Sequence, residues 1–412
     1  NHNLIHMNIA EGMSIRKGTF FRLLFLFSSS LVTVYFYHRY ILEALSYQYN
    51  FTSQSNLFVS SLFMLFYGVS ILFGGYLSDK YDRRRLIQLW SLGGVLIQTV
   101  FAFFHSTENL PLFSVVIGLS LGWGLPACFS YLSDVTSIEE RGRVSGILQL
   151  IVFLLVLFIV VLPQGYVDVQ TAIYISIVIR GITLLVPVSE STLEKRERVS
   201  YVEILKVKRN LVYLIPWVIY NICNSLLMFV EQGIPNTDAY VDVFATGPIL
   251  FFLATCFFGV LSGFLADRSG RKLPLILGFI TLGTAYAFVG ISVAPSNIML
   301  LYLFQGIAWG FILVCYQWII LGDLAKDYQC DKYYAIGLVI PPLIETLFLS
   351  YSTVVQPTIS PNLVASILSI IMFISVLPLL FAPETLPDEL IQDRRFKEYM
   401  RKVMEIVEES DE

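Results

Sequence analysis

Glu345 stands in the middle of an apolar run, three residues after the second proline of Pro341-Pro342. Placing a charge in hydrocarbon costs roughly 2.5–3.5 kcal/mol on insertion scales. Removal from water favours the neutral form of a carboxyl, so a carboxyl in that setting is suited to picking up and releasing a proton. Glu345 is therefore the candidate proton carrier, and a carboxyl bonded between helices is the plain alternative. Arg39, beside His38 in another apolar run, offers a planar fork that grips a carboxylate or phosphate through two parallel bonds. Glu43 follows one turn later, so an ordinary i, i+4 pair is the alternative for Arg39. His38 reads as a satisfied core or interface residue. Arg180, the other arginine in an apolar stretch, reads as a structural partner or a snorkelling chain. Neutral polar groups form a further set: Gln149, Asn221, Asn224, Gln305 and Trp309. Asn221 and Asn224, three residues apart, share a helix face. Amides beside aromatic faces suit a hydroxylated or carboxylated small molecule, with bonds between helices as the alternative.

A second constellation is duplicated. Gly75-Tyr-Leu-Ser-Asp79-Lys-Tyr-Asp82-Arg83-Arg84 and Gly263-Phe-Leu-Ala-Asp267-Arg-Ser-Gly270-Arg271-Lys272 share the pattern G-x-L-x-D-x-x-x-R-[RK]. Glycine at Gly75 and Gly263 permits close backbone approach, because no Cβ intervenes. Asp79 and Asp267 are each able to face the N-terminus of a helix from the other copy, where unpaired N–H groups favour an anion. Arg83 and Arg271 are placed to pair with those aspartates, or with Glu190 and Glu384, which follow Pro187 and Pro383 at the ends of the two copies. A plain cluster of basic anchors is the alternative.

Other chemistries find no support in the pattern. No G-x-x-x-x-G-K-[ST] run occurs, so nucleotide-driven work is unsupported. The five cysteines show no C-x-x-C spacing, and neither a disulfide framework nor a metal site is expected. Clustered nucleophile, base or ligand sets are missing, so no catalytic residue, cofactor or enzymatic activity is expected. The formal charge of −4 leaves no nucleic-acid footprint.

The elements that must position these residues are membrane spans. The 412-residue chain is 56% hydrophobic and only 14% charged, with a mean hydropathy of +0.70; soluble domains carry roughly 25% charged residues. A span takes about 20 apolar residues. The apolar runs are Phe20–Ala44, Leu57–Leu77, Leu86–Phe104, Leu110–Tyr131, Val144–Leu162 and Val169–Val188, then Leu211–Val230, Val243–Ala266, Leu273–Val293, Ile298–Leu321, Tyr334–Val354 and Leu363–Phe381. Twelve spans put both termini on one side. Of the 27 Lys and Arg, all but Arg39 and Arg180 then fall on a single face, which the positive-inside rule makes cytoplasmic. The expected fold is an all-α membrane protein of two six-helix bundles, residues 1–188 and 211–383. A central cytoplasmic loop (189–210) joins them, and an amphipathic cytoplasmic tail (384–412) carries Phe396, Met400, Val403 and Val407 on one stripe. Asn1 to Ser14 do not read as a signal peptide. The sequon Asn50-Phe51-Thr52 falls in the outer loop between the first two spans.

With six spans repeated twice and the loop motif at matching points, the chain resembles the major facilitator superfamily over essentially its whole membrane portion. Gly118-Leu-Ser-Leu-Gly122-Trp-Gly124-Leu-Pro126 is similar to that family's glycine-rich fourth span. Tyr131-Leu-Ser-Asp134 leading to Arg141-Gly142, with Pro383-Glu384-Thr385, is similar to the sugar-porter and metabolite–proton symporter branches. The resemblance implies two bundles rocking about a central site, with spans one, four, seven and ten lining the cavity. It makes Gly75, Asp79, Arg83, Gly263, Asp267, Arg271, Glu190 and Glu384 a cytoplasmic latch. It makes Arg39, Gln149, Asn221, Asn224, Gln305 and Trp309 candidates for the substrate cavity. Two departures stand out. Asp82 occupies a place where the family commonly has Gly, and Gly118 one where its proton-coupled members often carry Arg. The implied function is secondary active transport of a sugar or organic acid, coupled to protons, by a monomer in the lipid of the cell membrane. A uniporter, or a sensor or scaffold on the same fold, is the alternative.

Overall fold

The computed structural model describes residues 15–161, 168–186, 197–234, 237–325, 329–354 and 360–387, and positions 389, 390, 392, 396, 400 and 403 of the tail. Each apolar run forms a helix: α1 (Lys17–Gln48), α2 (Ser53–Leu77), α3 (Arg83–Phe104) and α4 (Leu110–Val135), α5 (Arg141–Val161), α6 (Val169–Leu185), α7 (Lys208–Gln232), α8 (Asp238–Ser269), α9 (Lys272–Ile291), α10 (Pro295–Ala325), α11 (Asp331–Val354) and α12 (Pro361–Phe381). Among the described residues, eleven of these are long and apolar enough to cross a membrane, and α6 is a shorter apolar helix of 17 residues. Several helices begin about a turn before the apolar run does, at Arg141, Lys208, Asp238 and Asp331. Hydrocarbon length bounds the apolar segment, but backbone bonding carries the helix on into polar residues.

The charged stretch after α6 also contains a short helix, Tyr201–Lys206, that hydropathy does not reveal. Ser200 and Glu203 close it with a reciprocal capping box. The Ser200 backbone N–H, bonded to the Glu203 carboxylate, holds that carboxyl below its usual range. Tyr201 donates to the Leu72 carbonyl at 2.6 Å and pins the connection to α2.

Within the first half α2 packs on α4 and α3 on α6; within the second, α8 packs on α10 and α9 on α10 and α12. The two halves meet chiefly where α2 lies along α11 and α5 along α8. At the α5–α8 contact the backbones touch. A Cβ added at Gly263 would overlap the Gly142 carbonyl, and one added at Gly142 would overlap the Gly263 carbonyl. On α2, a Cβ added at Gly75 would overlap the Ala335 side chain of α11 and the Tyr201 hydroxyl of the connecting helix.

Two helices depart from α geometry where the sequence gives no warning. Tyr37–Ile41 in α1 and Val314–Ile320 in α10 each form a π-helical stretch, a feature frequent at functional sites. The first carries His38 and Arg39. By contrast, α11 runs unbroken through Pro341-Pro342.

Candidate functional site

The duplicated motif builds a charged layer at the basic end of the molecule. Asp267, 3% exposed, accepts from the backbone N–H groups of Gly142 and Arg143, both at 2.9 Å. Its carboxylate therefore sits on the N-terminus of α5, from the other half, where a negative charge is favoured. Arg271, fully buried, donates to Asp267 at 2.8 Å, to Asp323 at 3.2 Å and to the Ile138 carbonyl at 2.6 Å. Glu384 accepts from the backbone N–H of Arg271 at 2.8 Å and of Lys272 at 3.3 Å, and so caps α9.

In the other copy Asp79 pairs with Lys332, in the first turn of α11. Arg83 corrects one expectation. It pairs not with Asp79 but with Asp134, at the end of α4, and with Asp331, the first residue of α11, at 2.8 Å. The arrangement obeys the repeat: each motif arginine meets an aspartate at the end of its own half's fourth helix, Arg83 with Asp134 and Arg271 with Asp323. Arg141 bridges back from the first half to Asp323. Asp323 escaped the sequence reading because it lies at a span end, where a charge is ordinary. The repeat was the available signal, since Asp134 and Asp323 lie at almost the same distance beyond Asp79 and Asp267. Glu190 lies outside the described residues.

Directly beneath this layer is an aromatic floor drawn from both halves. Phe27 packs on Phe129 and Trp318 with ring centroids 4.8 and 4.6 Å apart, and Phe129 stacks on Tyr334 at 5.4 Å. Tyr334 shares a hydrogen bond of 2.6 Å with Ser133 and donates to the Trp318 carbonyl at 3.0 Å. Salt bridges and rings together close this end of the interface between the halves.

Toward the other end lie the remaining charges. His38 Nε2 is 3.7 Å from Glu345 Oε1, and its ring stacks on Phe63 at 5.7 Å. Arg39 is exposed, and among the described residues no carboxylate lies within 4.0 Å of it; the anticipated Arg39–Glu43 pair is not made. Its guanidinium remains within electrostatic reach of Glu345, Glu231 and Glu43. Glu231, near the C-terminal end of α7, is a member of this group that the sequence reading missed.

The neutral candidates divide. Gln149 is fully buried with both amide atoms unpartnered among the described residues, and Trp309 Nε1 and Asn224 Oδ1 are likewise unpartnered. Asn221 is committed, donating to the Trp217 carbonyl at 2.7 Å. Gln305 is buried on α10, and Trp309 packs edge-on against Phe251 at 5.1 Å. Arg180 does not snorkel. It is fully buried on α6, lies 3.5 Å over the Trp90 ring, and leaves Nε and Nη1 unpartnered.

Comparison with known proteins agrees with this architecture. Residues 20–329 match the profile described as Major Facilitator Superfamily. Among solved structures, the chain superposes on the proton:xylose symporter XylE bound to 6-bromo-6-deoxy-D-glucose with a TM-score of 0.64 and 14% identity, covering 89% of this chain and 95% of that one. It superposes on the human organic anion transporter MFSD10 (TETRAN) at 0.65 and 12% identity, covering 88% and 98%. A partially occluded inward-open form of the xylose transporter XylE from E. coli gives 0.60 and 14%, covering 89% and 97%. No curated protein matches.

Proposed function

The chain belongs to the major facilitator superfamily, and on that premise we propose that it is a secondary active transporter of a small polar metabolite, a sugar or an organic acid, working by alternating access. Twelve spans in two bundles, 1–188 and 211–383, cross the cell membrane with both termini in the cytoplasm. The loop 189–210 joins them, the tail follows at 384, and the basic layer is the cytoplasmic latch. The observation that carries the reading is the duplicated closure. Each motif aspartate of one half is held by the start of a helix of the other, Asp79 at α11 and Asp267 at α5. Charges at such a joint suit a switch. The Coulombic gain of a buried pair is largely offset by its desolvation, so the closed and the opened, hydrated arrangements stay near in free energy.

Arg39, with no carboxylate within 4.0 Å among the described residues, is the arm for a substrate carboxylate. Gln149, Asn224 and Trp309 bring unpartnered polar atoms and Gln305 a buried amide, which supports a polar cargo. An anion seated on Arg39 takes up the positive charge that offsets Glu345, and a proton on Glu345 restores neutrality. Substrate and proton then load together. The similarity to a proton:xylose symporter and to an organic anion transporter supports both halves of this substrate class.

The test is uptake of radiolabelled sugars and organic acids into proteoliposomes under an imposed pH gradient. We expect accumulation of at least one compound, lost in Glu345→Gln while exchange at equal pH persists. Downhill-only uptake indifferent to pH would make the protein a uniporter. No uptake of any compound would leave a sensor or scaffold.

A further inference from the structure

We propose that the proton is held not by Glu345 alone but by a dyad, His38 Nε2 and Glu345 Oε1, whose two members belong to opposite halves of the molecule. This rests on the transport reading above and adds a second proton-handling residue to it. His38 was unremarkable in the sequence. Three observations change its standing. Its Nε2 lies 3.7 Å from Glu345 Oε1, so a closure of about 1 Å, or one water, completes a hydrogen bond. It sits within the π-helical stretch of α1, one of two such stretches in the described chain. Its ring is held face to face on Phe63 of α2, whose ring stacks in turn on Tyr67 at 6.1 Å. An imidazole fixed by stacking on one side and aimed at a carboxylate on the other is oriented for proton exchange.

The remaining groups that act on the pair are identifiable. From α1 come Arg39, Tyr35 and Glu43, with Arg39 in electrostatic contact with both members of the dyad. From α7 comes Glu231, which acts on Arg39. From α2, Tyr67 stacks on the Phe63 ring that carries His38. The helix that carries Glu345 is itself a joint, since Leu343 and Pro342 pack on Gly68 of α2. In the cycle, one proton enters from water at the open end, forms a bond to Nε2 or to the carboxyl oxygen, and is shared across the contact. It leaves to water at the other end after the halves have moved. No other bond changes. Because the dyad bridges the halves, its proton occupancy and their relative position are linked, which a carboxyl confined to one half does not provide.

The probe for the test is the proton itself. The full chain in lipid nanodiscs is titrated while infrared difference spectra follow the protonated carboxyl and imidazole bands, for wild type, His38→Gln and Glu345→Gln. We expect the two bands to change together in wild type over one pH range. His38→Gln should move the carboxyl midpoint by about one pH unit or more, a tenfold change in proton affinity, and Glu345→Gln should move the imidazole midpoint comparably. A carboxyl midpoint unmoved in His38→Gln overturns the dyad. If that variant does not fold, the wild-type spectrum decides alone, because bands that titrate over separate ranges overturn it equally. A shared titration in a protein whose vesicles show no proton-driven uptake would keep the dyad and sink the proton-coupled transport reading. Independent titration with proton-driven uptake intact would do the reverse.

Discussion

A single charge is legible in a sequence when its surroundings are wrong for it. Arg39, Arg180 and Glu345 announce themselves because each interrupts an apolar run. Asp323 and Glu231 do not, because they stand at the ends of runs where charges are expected. What the sequence could not give was the partner. Arg180 is the sharpest instance. It sits on a tryptophan face with no carboxylate within 4.0 Å among the described residues. A cation over an aromatic ring recovers about 2 kcal/mol when desolvated, well short of the several kcal/mol that burying an ion costs. We therefore expect Arg180→Met to leave the melting temperature of the purified protein unchanged or raise it, with the transport rate retained. A fall of the size produced by breaking a buried ion pair, roughly 3–5 kcal/mol, would show that the guanidinium has an acidic partner.

Helices were legible to within about a turn, since the length of an apolar run is a direct consequence of hydrocarbon thickness. Two element-scale features were not. The π-helical stretches at Tyr37–Ile41 and Val314–Ile320 have ordinary compositions. Hydropathy does not encode such a change of helical winding. The helix Tyr201–Lys206 is polar enough to be read as loop, although Ser200 and Glu203 carry the capping signal. The glycines of the repeat are a middle case. Gly263 was marked for close approach, and the backbone it meets is that of Gly142, on α5, a glycine the reading did not single out for that role. Gly263→Ala should force α5 and α8 apart, because a methyl has no room against the Gly142 carbonyl. The expected result is more rapid thiol labelling of the native Cys256, which faces the Leu150 carbonyl of α5 at 3.7 Å across the same interface, in a background with the other cysteines replaced. An unchanged labelling rate would mean that the two backbones separate at no cost, contrary to the contact described.

At the scale of the whole molecule, the duplicated motif makes one closure from two halves, and the pairing repeats what the sequence repeats. Arg83 meets Asp134 as Arg271 meets Asp323, and Asp79 and Asp267 each engage the start of a helix across the interface. The central claim is that this closure opens and shuts. The most direct measurement is the distance between spin labels at Arg85, after the first motif, and Ser269, within the second, both exposed at the basic end. Double electron–electron resonance should find a short distance in wild type with a minor longer one. Asp267→Asn removes the charge that receives two backbone N–H groups and Arg271. Hydrogen bonds to charged groups contribute about 1.5–3 kcal/mol each, so the variant should shift the balance toward the longer distance by roughly tenfold or more. A single distance, the same in wild type and Asp267→Asn, would contradict the account.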